Sequence, residues 1–106
     1  EGNPSIDVKR TSIYTAFSSA SNSDILMGDQ LPKSMTISNT SSSVVPIVSV
    51  KAKDSGGDVY SIISNVNIPV GTSLLLEVEQ LGSPHTINVG VAVLSGTPAV
   101  QVITNF

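Results

Sequence analysis

The chain has 106 residues, 40% hydrophobic, 12% charged and 4% aromatic, with no Cys and no Trp. That length fits one domain with one core, and the lack of Cys excludes disulfide scaffolds, thiol catalysis and Cys-based zinc sites. Five basic against eight acidic residues give a formal net charge of −3, which argues against a nucleic-acid footprint. No apolar run approaches the roughly 20 residues of a membrane-spanning helix, and no basic start followed by an apolar stretch marks a signal peptide.

Val, Ile and Thr supply 32 residues and Ser plus Thr supply 26. The first group is stiff at χ1 and favours a pleated backbone. No window carries sustained helical spacing, so the composition is all-β.

Residues 1–5 are polar, with Gly2 and Pro4, and read as a flexible N-terminal arm; residues 6–106 read as a single β domain. Ile6 and Val8 alternate with Asp7 and Lys9 as a short first strand. Ile13 to Phe17 continues it or forms a second. Ser18 to Ser23 reads as a loop, and Ile25-Leu26-Met27 as a short strand closed by Gly28-Asp29. Lys33 to Asn39 alternates, with Met35 and Ile37 on one face. Asn39 to Ser43 is a turn. Val44 to Lys53 is expected as the longest strand, with Val48, Val50 and Ala52 inward.

Asp54-Ser55-Gly56-Gly57-Asp58 is the clearest hairpin turn, because glycine accepts positive φ without steric cost. Val59 to Ser64 returns as its partner, and Ile68-Pro69-Val70-Gly71 turns the chain. Leu74 to Glu79 is a strand with Leu74, Leu76 and Val78 inward, followed by a loop from Gln80 to His85. Ile87, Val89, Val91 and Val93 form a strict period-2 series. Val100 and Val102 lie on a last strand. About eight short strands at this spacing predict an antiparallel two-sheet sandwich or a jelly-roll-like small barrel. Short connections favour pairing between chain neighbours.

Candidate chemistry is thin. His85 lies beside Ser83 and Pro84 without a third group to make a triad. Asp54 and Asp58 lack the six to eight oxygens of a calcium loop. Glu77 and Glu79 read as one solvated strand face. Asn39-Thr40-Ser41 matches a glycosylation pattern that matters only in a secretory pathway. No catalytic residue, metal site or cofactor is expected, and the chain does not read as an enzyme.

Charge is asymmetric: from Asp54 onward there is no Lys or Arg. Partner contacts are therefore expected in the first half, at Ile6, Val8, Lys9, Arg10, Lys51 and Lys53. The lysine pair on a strand also fits protection of a sheet edge. A surface this poor in charge and rich in hydroxyls suits assembly with other protein, and a homo-oligomer is expected.

Thr36-Ile37-Ser38-Asn39-Thr40-Ser41-Ser42, Val48-Ser49-Val50-Lys51, Asp54-Ser55-Gly56-Gly57 with Tyr60, and Asn65 to Leu74 together resemble a pattern in small virion proteins of tailed bacteriophages, including phages of cyanobacteria. The resemblance covers under half of the chain and rests on strand and turn grammar. It implies a structural role in the virion without catalytic residues: a capsid decoration (cement) protein, with a trimer favoured, bound to the major capsid protein or other virion proteins. The alternative is a tail, neck or tail-fibre module that binds a host receptor. No nucleic acid or membrane partner is implied.

Overall fold

A computed structural model describes residues 11–28 and 30–106. The expected arm, the Ile6/Val8 strand and the contacts at Ile6, Val8, Lys9 and Arg10 lie outside the described residues.

Eight strands form two antiparallel sheets: β1 (Ser12–Phe17), β2 (Ser21–Leu26), β3 (Ser34–Asn39), β4 (Ile47–Lys53), β5 (Val59–Asn67), β6 (Ser73–Glu77), β7 (Thr86–Ala92) and β8 (Val100–Asn105). One sheet has the order β1-β8-β3-β6 and the other β2-β7-β4-β5. The fold is thus a two-sheet antiparallel sandwich. The pairs β4–β5, β3–β6, β2–β7 and β1–β8 are nested within one another. That is one long hairpin bent over on itself, the jelly-roll wrapping. Only β4 and β5 pair as chain neighbours, contrary to the expectation from short connections. Most short loops instead carry the chain from one sheet to the other, because each new strand covers the apolar face just left exposed.

Period-2 alternation fixes the core. Met35 and Ile37, Val48, Val50 and Ala52, Ile87, Val89 and Val91, and Val100 and Val102 are all buried between the sheets, with Phe17, Ile25, Met27 and Leu76. Each such side chain, fully buried, contributes roughly 1.5–3 kcal/mol. Thr104 also points inward; it is fully buried, and its Oγ1 has no hydrogen-bond partner. An unmade buried hydrogen bond is costly, so Thr104→Val is expected to stabilise the fold by about 1 kcal/mol, read as a higher midpoint in chemical denaturation.

Several local expectations are corrected. Ser21 to Ser23 is the start of β2, paired with Val91 to Val89; edge-strand backbone pairing overrides the loop-like side chains. β4 starts only at Ile47, after Pro46, and β5 at nine residues is longer. β5 owes its length to two irregularities against β4, one spanning Val48 and Val50 and the next Val50 and Lys51. Asn65, with φ 52°, sits at the first, and its backbone N–H donates to Ser49 Oγ at 2.9 Å.

Val78 is 50% exposed, since the chain leaves the sheet at Glu77 and forms a short helix, α1 (Val78–Leu81). Gln80 Oε1 accepts the Glu77 backbone N–H at 2.7 Å, a reciprocal cap that favours helix over strand. Glu79 and Glu77 therefore share no strand face, and Leu81 is buried at the end of the sandwich. Tyr60 on β5 fastens this helix by donating its hydroxyl to the Leu81 carbonyl at 3.0 Å.

Burial, and secondarily the Asp54 carboxylate, raises the Tyr60 phenol above its ordinary 10.0. The folded state therefore favours the neutral phenol. Its stabilisation is complete below the unfolded value and is lost as pH rises through the raised one. Tyr60→Phe is expected to flatten the fall in melting temperature above about pH 10, at the cost of the helix-end hydrogen bond at neutral pH. Melts of both proteins across the alkaline range check this.

Candidate docking surface

The two outer faces of the sandwich differ in chemistry. On the β1-β8-β3-β6 sheet, register brings the outward residues into three rows across the strands. The middle row is Tyr14, Ile103, Thr36 and Leu75. Tyr14 is 60% exposed, Leu75 53% and Ile103 39%. Directly opposed side chains on antiparallel strands stand about 5 Å apart, so these form one stripe across the four strands, apolar at Tyr14, Ile103 and Leu75 and interrupted on β3 by Thr36.

Uncharged residues fill the flanking rows except at one corner. One is Ala16, Gln101, Ser38 and Ser73; the other is Ser12, Asn105, Ser34 and Glu77. Ser38 and Ser73 share a hydrogen bond of 2.8 Å, and Asn105 Nδ2 donates to Ser34 Oγ at 3.1 Å. Internal pairing lowers the cost of removing these groups from water. Glu77, at a corner, is the single charge among these positions. The outer face of an antiparallel sheet is ordinarily polar and solvated; an apolar stripe whose border holds a single charge and is partly paired internally has the composition of an interface core.

The opposite face, on β2-β7-β4-β5, carries Asp24, Lys51 and Lys53. Lys51 and Lys53 are exposed as expected, but β4 is an interior strand, between β7 and β5. The edge-protection reading therefore does not apply, and β5 with its bulges is the edge beside them. Asn88 Nδ2 donates to Asp24 Oδ1 at 2.7 Å, in the same row as Lys51.

The remaining candidates are occupied by structure. Asp54 Oδ1 accepts the backbone N–H groups of Gly56 and Asp58 at 2.9 and 3.0 Å and so holds its own turn. His85 is exposed, and its backbone joins two strand ends by donating to the Lys53 carbonyl and accepting from Met27 N. Among the described residues no cluster of three or more His, Cys, Asp or Glu is placed to hold a metal. Asn39 is 2% exposed and donates through Nδ2 to the carbonyls of Val44 and Ile68, both at 2.9 Å. Its amide is thus withheld from glycosylation in the folded protein.

The apolar stripe was not among the expected contact residues. The available signal was an outward apolar residue in an alternating strand: Tyr14 beside Ile13, Leu75 between Leu74 and Leu76, and Ile103 after Val102.

No protein-family model matches the chain, and no curated protein sequence matches it. Solved structures do. PirA is similar at a TM-score of 0.55 and 11% identity, over 97% of this chain and 100% of that one. The SPBc2 prophage-derived protein YomS is similar at 0.53 and 16%, over 92% and 96%. The Yersinia pseudotuberculosis-derived mitogen is similar at 0.52 and 9%, over 89% and 82%. At such identities the likeness is one of fold, and the fold in common is a small β sandwich.

Proposed function

We propose that the protein is a structural component of a phage virion, a capsid decoration (cement) protein that docks its β1-β8-β3-β6 face onto the major capsid protein. The observation that carries this is the Tyr14–Ile103–Thr36–Leu75 stripe on a face almost free of charge. The fold likeness to a prophage-derived protein and the resemblance of the strand and turn pattern to small virion proteins support it.

The mechanism is mechanical. A ligand that binds the assembled lattice better than its separated pieces stabilises the lattice by linkage. A trimer, placing three such faces at one lattice point, multiplies the effect through effective concentration. The test uses expanded heads assembled without the protein. Addition of the purified chain is expected to raise their rupture temperature. Failure to bind, or binding that leaves rupture unchanged, overturns the proposal.

A further inference from the structure

The outer face of the β2-β7-β4-β5 sheet holds a groove of about 310 Å³, at the small end of ligand sites. Gly90 on the interior strand β7 forms its floor. Register sets Asn22 of β2 on one side of Gly90 and Ser49 of β4 on the other. Asn65 lies beyond Ser49 on the bulge of β5, Ile47 and Ala92 line one end, and Lys51 and Asn88 line the other.

Gly90 is the notable residue. Glycine weakens an interior strand, and Gly90 has no positive φ to justify it. A Cβ there would fall 2.6 Å from Asn22 Oδ1. The missing side chain is what lets the Asn22 amide lie over the floor.

The groups around this floor have hydrogen-bonding capacity to spare. The Asn22 side-chain amide has no hydrogen-bond partner among the described residues, and the Asn65 side-chain NH₂ and the Asn88 side-chain oxygen are likewise unused. Asn88 donates its NH₂ to Asp24, and Lys51 has no ion-pair partner among the described residues. Amides offer donor and acceptor together, and an ammonium offers three donors.

We infer that this groove binds a glycan segment containing an acidic sugar. The hydroxyls, each both donor and acceptor, would pair with the Asn22, Asn65 and Asn88 amides. The C–H face of the ring would rest on Ile47 and Ala92, and the carboxylate would meet Lys51. No aromatic platform backs the site, so single-site affinity falls in the millimolar range, about −4 kcal/mol. Repeated copies on a particle would raise it. The site is on the face opposite the apolar stripe, so this inference stands apart from the docking role.

The test is a ¹H–¹⁵N titration of the free protein with digalacturonate, with lactose as a neutral disaccharide and acetate as the anion alone. Digalacturonate is expected to shift the Asn22, Gly90, Asn65 and Lys51 signals, with lactose weaker and acetate silent. Gly90→Ala displaces the flexible Asn22 side chain without straining the backbone. It is expected to keep its melting temperature and lose the response by about tenfold. An equal response to lactose, a full response to acetate, silence at Gly90, or full binding by Gly90→Ala overturns the inference.

Discussion

Asn39→Ala is expected to lower the melting temperature by roughly 10 °C or more, the largest loss from any single polar truncation in this fold. Asn39 closes β3 with its side chain facing inward, and three chain segments converge on it. Its Nδ2 holds the carbonyls of Val44 and Ile68, and its Oδ1 accepts the Ser41 backbone N–H at 3.0 Å. Its own backbone is bonded to Thr72 and Gly71. The β3–β4 loop and the β5–β6 turn are thereby fixed to one amide. Truncation removes this partner from the buried Ile68 carbonyl and from the part-buried Val44 carbonyl and Ser41 N–H, at about 1 kcal/mol for each. Asn39→Asp keeps the acceptor but loses both donors and buries a charge, and is expected to be worse. Thermal denaturation of both variants beside the parent checks the order.

The second large effect is on docking. Ile103→Glu is expected to weaken association with expanded heads by about 100-fold or more, since it buries a carboxylate in an apolar contact. Ile103 lies on β8, in the interior of its sheet, with Tyr14 and Thr36 as neighbours in the stripe. Its side chain faces outward, so the fold itself is expected to lose no more than about 1 kcal/mol. Ser61→Glu, exposed on the opposite face, is the matched control and is expected to bind as the parent does. Co-sedimentation with heads over a range of protein concentrations separates the two. Equal binding by all three proteins would remove the stripe from the contact.

Strand positions were legible because a strand with one buried face repeats every two residues. Val48, Val50 and Ala52, or Ile87, Val89 and Val91, announce their inward side without any knowledge of a partner. Partners were not legible. β1 and β8 are joined by a register that links Ser12 to Asn105, and no local pattern encodes a pairing across that length of chain. The start of β2 was hidden because Ser21-Asn22-Ser23 has the side chains of a loop and only its backbone is engaged. The change from strand to helix at Val78 was signalled by Glu77 and Gln80 three residues apart, a pattern outweighed by the apolar alternation before it.

The two surfaces show the same limit. Lys51 and Lys53 were rightly placed in solvent, but their neighbours Asp24 and Asn88 come from other strands. Tyr14, Leu75 and Ile103 are each unremarkable alone. They become a stripe only when four strands from remote parts of the chain align. A site composed across a sheet is written in the register, and register is a tertiary property.

The nesting of strand pairs carries a consequence for biogenesis. β8 is the last of the eight strands to leave the ribosome, yet it fills the gap between β1 and β3. Until it arrives, those strands lack their shared neighbour and the stripe lacks Ile103. If the stripe is the docking face, it is complete only in a chain translated through β8, and a chain truncated before that strand would lack the Ile103 contact between Tyr14 and Thr36.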